Sequence, residues 1–150
     1  MKRIYLAVGS VTGTATAVAN AVESHLTEQG FECVLSSQPT LSQWSSQSFD
    51  GLLVITSTTG RGAIPNNLLP FYVELGEAMP PMPIVTAGVI ALGDSSYDDT
   101  FCGAGMLWEE RLHELQAQLP VPRVTIDATE TITPDVDALF WLKEWLAAVV

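Results

Sequence analysis

Two runs, Gly51-Leu52-Leu53-Val54-Ile55 and Thr86-Ala87-Gly88-Val89-Ile90-Ala91-Leu92, carry apolar side chains at consecutive rather than alternate positions. Successive side chains of an extended chain point to opposite faces, so such a run must be covered on both. That requirement predicts a parallel sheet clad in helices. Three further segments have strand character: Ile4 to Val8, Phe31 to Leu35 and Val121 to Ile126, while Phe49 extends the first of the two buried runs. Between them lie helical patterns. Thr14 to about Gln29 repeats Val18, Val22 and Leu26, and Gly30 stands where a helix stops. Asn66 to about Ala78 suits a second helix, with Asn66 as its cap and Pro70 in its first turn. Ala104 to Leu119 turns Leu107, Leu112, Leu115 and Leu119 inward and Glu109, Glu110 and Glu114 outward. The last helix starts near Pro134 and carries Val136, Leu139, Phe140, Lys143, Leu146 and Val149. Pro39 to Ser48 reads as a polar connection in which Leu41 and Trp44 pin a helical turn to the core.

With 150 residues, 47% of them hydrophobic, the chain has the size of one domain spanning residues 1–150. The rigid link Met79-Pro80-Pro81-Met82-Pro83 is too short to separate two. Five strands alternating with helices predict an α/β fold whose parallel sheet has the order 2-1-3-4-5, helices on both faces, and ligand chemistry at the C-terminal strand ends. Three polar loops fall there. The first, Gly9-Ser10-Val11-Thr12-Gly13-Thr14-Ala15-Thr16, is a strand-to-helix turn with two glycines and hydroxyls beside the unpaired N–H groups of a helix start. It suits a phosphate, and a Thr-rich, N-capped helix accounts for it equally well. No Lys or Arg occurs between Arg3 and Arg61, so a phosphate here is held by neutral dipoles and hydroxyls. The others are Thr56-Ser57-Thr58-Thr59-Gly60-Arg61-Gly62 and Gly93-Asp94-Ser95-Ser96-Tyr97-Asp98-Asp99-Thr100-Phe101-Cys102-Gly103.

The loops separate the chemistries this layout supports. A phosphate-receiver domain needs an acidic pair after the first strand and an Asp closing the third, where this chain has Gly9-Ser10 and Thr56-Ser57. A small cysteine phosphatase needs a Cys in the first loop, and none is there. The spacing of Gly9 and Gly13 does not match a dinucleotide turn. A net charge of −11 removes the electrostatic footprint for nucleic acid or an anionic membrane and points to a basic partner. No targeting segment or membrane span is read, so a cytoplasmic location is expected. Cys33 and Cys102 lack further ligands at zinc spacing, and His25 and His113 read as surface residues on helices. Asp94, Asp98, Asp99, Glu109 and Glu110 are expected to form one acidic rim.

Together the three loops resemble those of the flavodoxin family. Ser10-Val11-Thr12-Gly13-Thr14-Ala15 is similar to the family's phosphate loop, S/T-x-T-G-N-T, with Thr14 in place of Asn and Ala15 in place of the last Thr. Gly93-Asp94-Ser95-Ser96-Tyr97 followed by Phe101-Cys102-Gly103 resembles its third flavin loop, and Ser57-Thr58-Thr59-Gly60 matches the second more loosely. The likeness covers essentially the whole chain, is strongest to the short MioC-like group, and lacks the fifth-strand insertion of long-chain flavodoxins. It implies a flavodoxin-like three-layer sandwich binding FMN.

Carried over by position, Ser10, Val11, Thr12, Gly13, Thr14 and Ala15 would hold the 5′-phosphate. Ser57, Thr58, Thr59 and Gly60 would line one side of the flavin, and Gly93, Asp94, Tyr97, Phe101 and Cys102 the other, with Tyr97 as the outer stacking ring. Thr59 replaces an inner aromatic, so stacking on one side only is expected. Gly60 would let a loop carbonyl turn toward the flavin's N5, and Arg61 would make its potential less negative. The implied function is a low-potential one-electron carrier rather than an enzyme, exchanging electrons between a basic NADPH-dependent flavodoxin/ferredoxin reductase and acceptor redox proteins. A monomer is expected, with no metal. Two other readings stay open: a small FMN-dependent quinone or azo reductase, and a regulatory partner-binding domain with weakened FMN affinity.

Overall fold

A computed structural model describes residues 2–10, 13–58, 63–93, 103–127 and 130–149. Strands β1 (Arg3–Gly9), β2 (Glu32–Ser36), β3 (Gly51–Thr56), β4 (Thr86–Gly93) and β5 (Val124–Asp127) form one parallel sheet in the order β2-β1-β3-β4-β5. Helices α1 (Thr14–Glu28) and α5 (Pro134–Val149) cover one face; α2 (Leu41–Ser45), α3 (Leu69–Ala78) and α4 (Gly103–Glu114) cover the other. The two-sided burial predicted for the apolar runs is what holds the layers together. Ile4, Leu6, Val8, Leu53, Ile55 and Ile90 enter the core under α1 and α5. Their alternates Tyr5, Ala7, Leu52, Val54, Ala87 and Val89 enter the core under α2 to α4.

The helix ends follow local chemistry. Gly30 takes the left-handed backbone (φ 92°) that ends α1, and Phe31 N–H closes on Leu26 C=O at 3.1 Å. Thr40 caps α2 by accepting from Gln43 N–H at 3.1 Å, and Trp44 is buried as expected.

Several boundaries differ from the sequence reading. Helix α3 begins at Leu69, not Asn66, because Leu68 and Leu69 N–H first turn back onto Pro65 C=O. Helix α4 stops at Glu114, not Leu119: Gln116 adopts φ 67°, and Ala117 N–H reaches Leu112 C=O at 3.1 Å in the same terminating pattern as α1. The fifth strand is confined to Val124–Asp127, since Pro120 and Pro122 have no N–H to give a ladder.

Helix α5 has the expected start but buries a different stripe. Ala138, Trp141, Leu142, Trp145, Leu146 and Val149 go inward, while Val136, Phe140 and Lys143 face solvent. The indoles prevail because each finds an acceptor: Trp145 Nε1 donates to Ala87 C=O at 3.0 Å and Trp141 Nε1 to Pro122 C=O at 2.9 Å. Gly88 makes room for both rings; a Cβ there would lie 2.5 Å from Trp141 Cη2. Among the described residues no helix is long and apolar enough to cross a membrane.

Candidate functional site

Register brings the loops to one edge. Gly9 is the partner of Thr56 and Thr56 of Ala91, so β1 and β3 end level while β4 runs on to Gly93. A crossbond fixes this alignment: Ser57 N–H donates to Gly9 C=O at 2.8 Å and Ser57 Oγ to the same oxygen at 3.1 Å. Gly9 has no room for a side chain, because a Cβ would lie 2.8 Å from Leu68 Cδ2. The segment leading into α3 therefore packs directly beneath the first loop.

Past Gly9 the chain turns into α1. Ser10 Oγ accepts from Gly13 N–H at 2.9 Å, closing a local turn that sets Gly13 at φ 91° as the helix N-cap. Among the described residues no side chain caps α1, and its first helical bond runs from Ala17 N–H to Gly13 C=O at 3.0 Å. The N–H groups of Ala15 and Thr16 thus have no acceptor inside the helix, and the positive end of the helix dipole opens onto the strand edge. Among the described residues a Cβ on Gly13 would meet nothing within 4 Å. Ala15, expected at the position of a phosphate-binding hydroxyl, has its methyl fully buried in the core under α1, and only its backbone faces the turn.

On the second loop, Thr58 Oγ1 is buried and has no hydrogen-bond partner among the described residues. A buried hydroxyl without a partner costs about 1–3 kcal/mol. Ser57, read from the sequence as lining the flavin, also has its hydroxyl bonded back to Gly9. Gly93 closes β4, half-buried, beside these strand ends. Val11, Thr12, Thr59, Gly60, Arg61, Asp94, Tyr97, Asp98, Asp99, Phe101 and Cys102 lie outside the described residues.

Glu109 does not belong to a steering rim. Its carboxylate accepts from Arg123 N–H at 2.8 Å and from the Arg123 guanidinium at 2.5 Å, and its side chain is only 15% exposed. Glu110 remains exposed. Among the described residues no three His, Cys, Asp or Glu side chains gather to hold a metal ion. Cys33 sits half-buried on the edge strand β2, away from these loops; burial and the nearby Glu23 carboxylate push its thiol up to about 11, against a weaker opposing bond from Thr27.

Sequence reasoning missed Asn67. Its Nδ2 donates to Val8 C=O at 2.9 Å and to Ser37 C=O at 2.7 Å. The β1–β2 ladder ends at the Ala7–Ser36 pair, so the Asn67 amide closes the two carbonyls just past it. It therefore ties the segment before α3 to the strand from which the first loop leaves. The signal was an Asn ahead of a helix; the capping role given to its neighbour Asn66 took its place.

A parallel sheet of order 2-1-3-4-5, whose C-terminal strand ends carry the turn into α1 and the buried Thr58 hydroxyl, defines the doubly wound α/β class, in which ligands bind at those strand ends. Comparison with known proteins narrows the class. Residues 6–141 match the model of the family described as Flavodoxin. The chain is 35% identical over 145 residues to Flavodoxin YqcA of Escherichia coli K12, covering 97% of each, and 36% identical over 146 residues to Protein MioC of the same organism, again covering 97% of each. Among solved structures, a cysteine-to-alanine mutant of Flavodoxin from Pseudomonas aeruginosa superposes with a TM-score of 0.92 at 38% identity, with 98% of both chains covered. The chain belongs to the flavodoxin family.

Proposed function

We propose that this flavodoxin binds FMN across its three strand-end loops and serves as a low-potential one-electron carrier rather than as an enzyme. The observation that carries the reading is the buried Thr58 Oγ1, which has no partner among the described residues and stands on a loop locked level with the turn into α1 by the Ser57–Gly9 bond. A polar atom left unpaired in a protein of this family fits a ligand that supplies its partner. The described residues suit FMN. Ser10 and Gly13 shape the turn, the N–H groups of Ala15 and Thr16 with the α1 dipole would hold the 5′-phosphate, and Thr58 would offer its hydroxyl to the flavin. Val11, Thr12, Thr14, Thr59, Gly60, Gly93, Asp94, Tyr97, Phe101 and Cys102 complete the site by family likeness.

Bound FMN supplies the one-electron chemistry. The chain's part is to orient it and keep its phosphate on neutral donors, since residues 4–60 contain no Lys or Arg. The expected partners are a basic NADPH-dependent flavodoxin/ferredoxin reductase and acceptor redox proteins, met by a cytoplasmic monomer. A net charge of −11 favours fast, salt-sensitive encounter with such partners.

The test is the visible spectrum of the purified protein after adding FMN, with a calorimetric titration beside it. A shifted flavin spectrum and submicromolar affinity are expected. Absence of binding refutes the reading, and steady turnover of quinones with NADPH and no added reductase assigns the protein to the small FMN reductases instead.

A further inference from the structure

We infer that the solvent face at the start of α5, beside the β5 edge of the sheet, is a docking surface for a basic redox protein, gripped through Ile132, Val136 and Phe140. The inference rests on the electron-carrier reading and names the surface such a carrier presents. These three side chains recur every four residues and are 99%, 44% and 68% exposed. Folding does not account for Ile132. Asp137 N–H bonds to Thr133 C=O at 3.2 Å, which makes Thr133 the residue before the first turn of α5 and Ile132 the one ahead of it. An apolar residue there ordinarily packs on the fourth helical position. That position is Asp137, so Ile132 has no staple partner and stands in water.

Acidic groups surround the stripe. Asp135 and Asp137 flank Val136 and Glu144 lies one turn beyond Phe140, while a cation, Lys143, holds its Nζ 5.5 Å from the Phe140 ring centre. Asp127, Glu130 and Asp137 line a groove of about 310 Å³ between β5 and α5, floored by Ile126. Among the described residues β5 is the outermost strand on this side of the sheet. Carboxylates ringing an apolar centre fit a partner with basic groups around an apolar contact. A second copy of the chain, itself at net charge −11, brings like charges to the same place. Three side chains make a small contact, of the size expected for a transient encounter. Asp127 is the register partner of Gly93, so the groove lies one strand spacing from the end of β4, from which the third loop leaves.

The experiment titrates the protein, with and without FMN, against a purified basic NADPH-dependent ferredoxin reductase as the probe. The pair Ile132→Ser with Phe140→Ser is expected to weaken binding about tenfold in both forms, with thermal unfolding and FMN affinity unchanged. The pair Asp135→Asn with Asp137→Asn is expected to flatten the salt dependence. Wild-type protein that does not bind the probe, or an Ile132/Phe140 variant of equal affinity, overturns the inference. A wild-type dimer that the same variant dissolves also overturns it and assigns the face to a second copy. Failure to bind FMN with docking retained overturns the carrier reading alone and leaves the surface standing.

Discussion

Replacing Asn67 with Ala removes two hydrogen bonds at the root of the first loop, 2.9 Å to Val8 C=O and 2.7 Å to Ser37 C=O. A neutral hydrogen bond contributes about 0.5–1.5 kcal/mol net, and the bond to the carbonyl of Val8, a buried residue, falls at the upper end because water replaces the lost donor poorly there. The Ser37 carbonyl is exposed and falls at the lower end. Together they predict a loss of about 2 kcal/mol, or about 4–8 °C in Tm for a domain of this size. Asn67→Asp is the sharper probe. At neutral pH its carboxylate only accepts and opposes two carbonyls, so a loss of about 3 kcal/mol is expected. The folded state then raises that carboxyl's pKa above its unfolded value near 4, so part of the loss returns as pH falls through this range and the protonated group donates again. Urea unfolding followed by circular dichroism at pH 7 and pH 4 reads both effects. A loss below about 0.5 kcal/mol for Asn67→Ala, or an Asp variant no worse than the Ala variant at pH 7, refutes the tying role.

Thr58→Val removes the orphaned hydroxyl at constant shape; the FMN-free protein should hold or gain up to about 1 kcal/mol while calorimetry shows FMN binding weakened about five- to tenfold. Gly88→Ala drives a methyl to 2.5 Å from Trp141 Cη2 and 2.9 Å from Trp145 Nε1, and should cost about 1–3 kcal/mol in urea unfolding because both indoles are held by hydrogen bonds. The Cys33 thiol, raised from 9.0 to about 11, stays protonated in the folded chain after the unfolded chain has ionised. Its contribution is therefore full below pH 9 and fades as pH rises toward 11; Cys33→Ala should lose less stability across that window than wild type, by on the order of 1–2 kcal/mol.

The sheet order and the two-faced core were legible because unbroken apolar runs such as Gly51 to Ile55 leave one way to be covered. Leu26 and Gly30 likewise announced the end of α1. What failed was local arbitration between similar signals. Phe140 and Trp141 are neighbours in sequence and both apolar; which faces inward depends on the space at Gly88 and the carbonyl of Pro122, both far along the chain. Glu109 reads as a solvated helix charge until Arg123, 14 residues away, folds against it. At the site, the strand-to-helix turn between Gly9 and Thr14 was legible from its glycines and hydroxyls. Asn67 was not, because its acceptors are backbone carbonyls on two strands, and backbone carbonyls leave no mark in a sequence.

The sheet divides the four tryptophans evenly. Trp44 and Trp108 lie in the layer under α2 to α4, Trp141 and Trp145 in the layer under α1 and α5. Replacing either pair with Phe leaves an intrinsic fluorophore that reports on one layer alone. Stopped-flow refolding of the two variants would then time the assembly of each half of the sandwich separately, without an added dye. Equal rates would mean that both layers close on the sheet in one cooperative step; unequal rates would identify the layer that forms first.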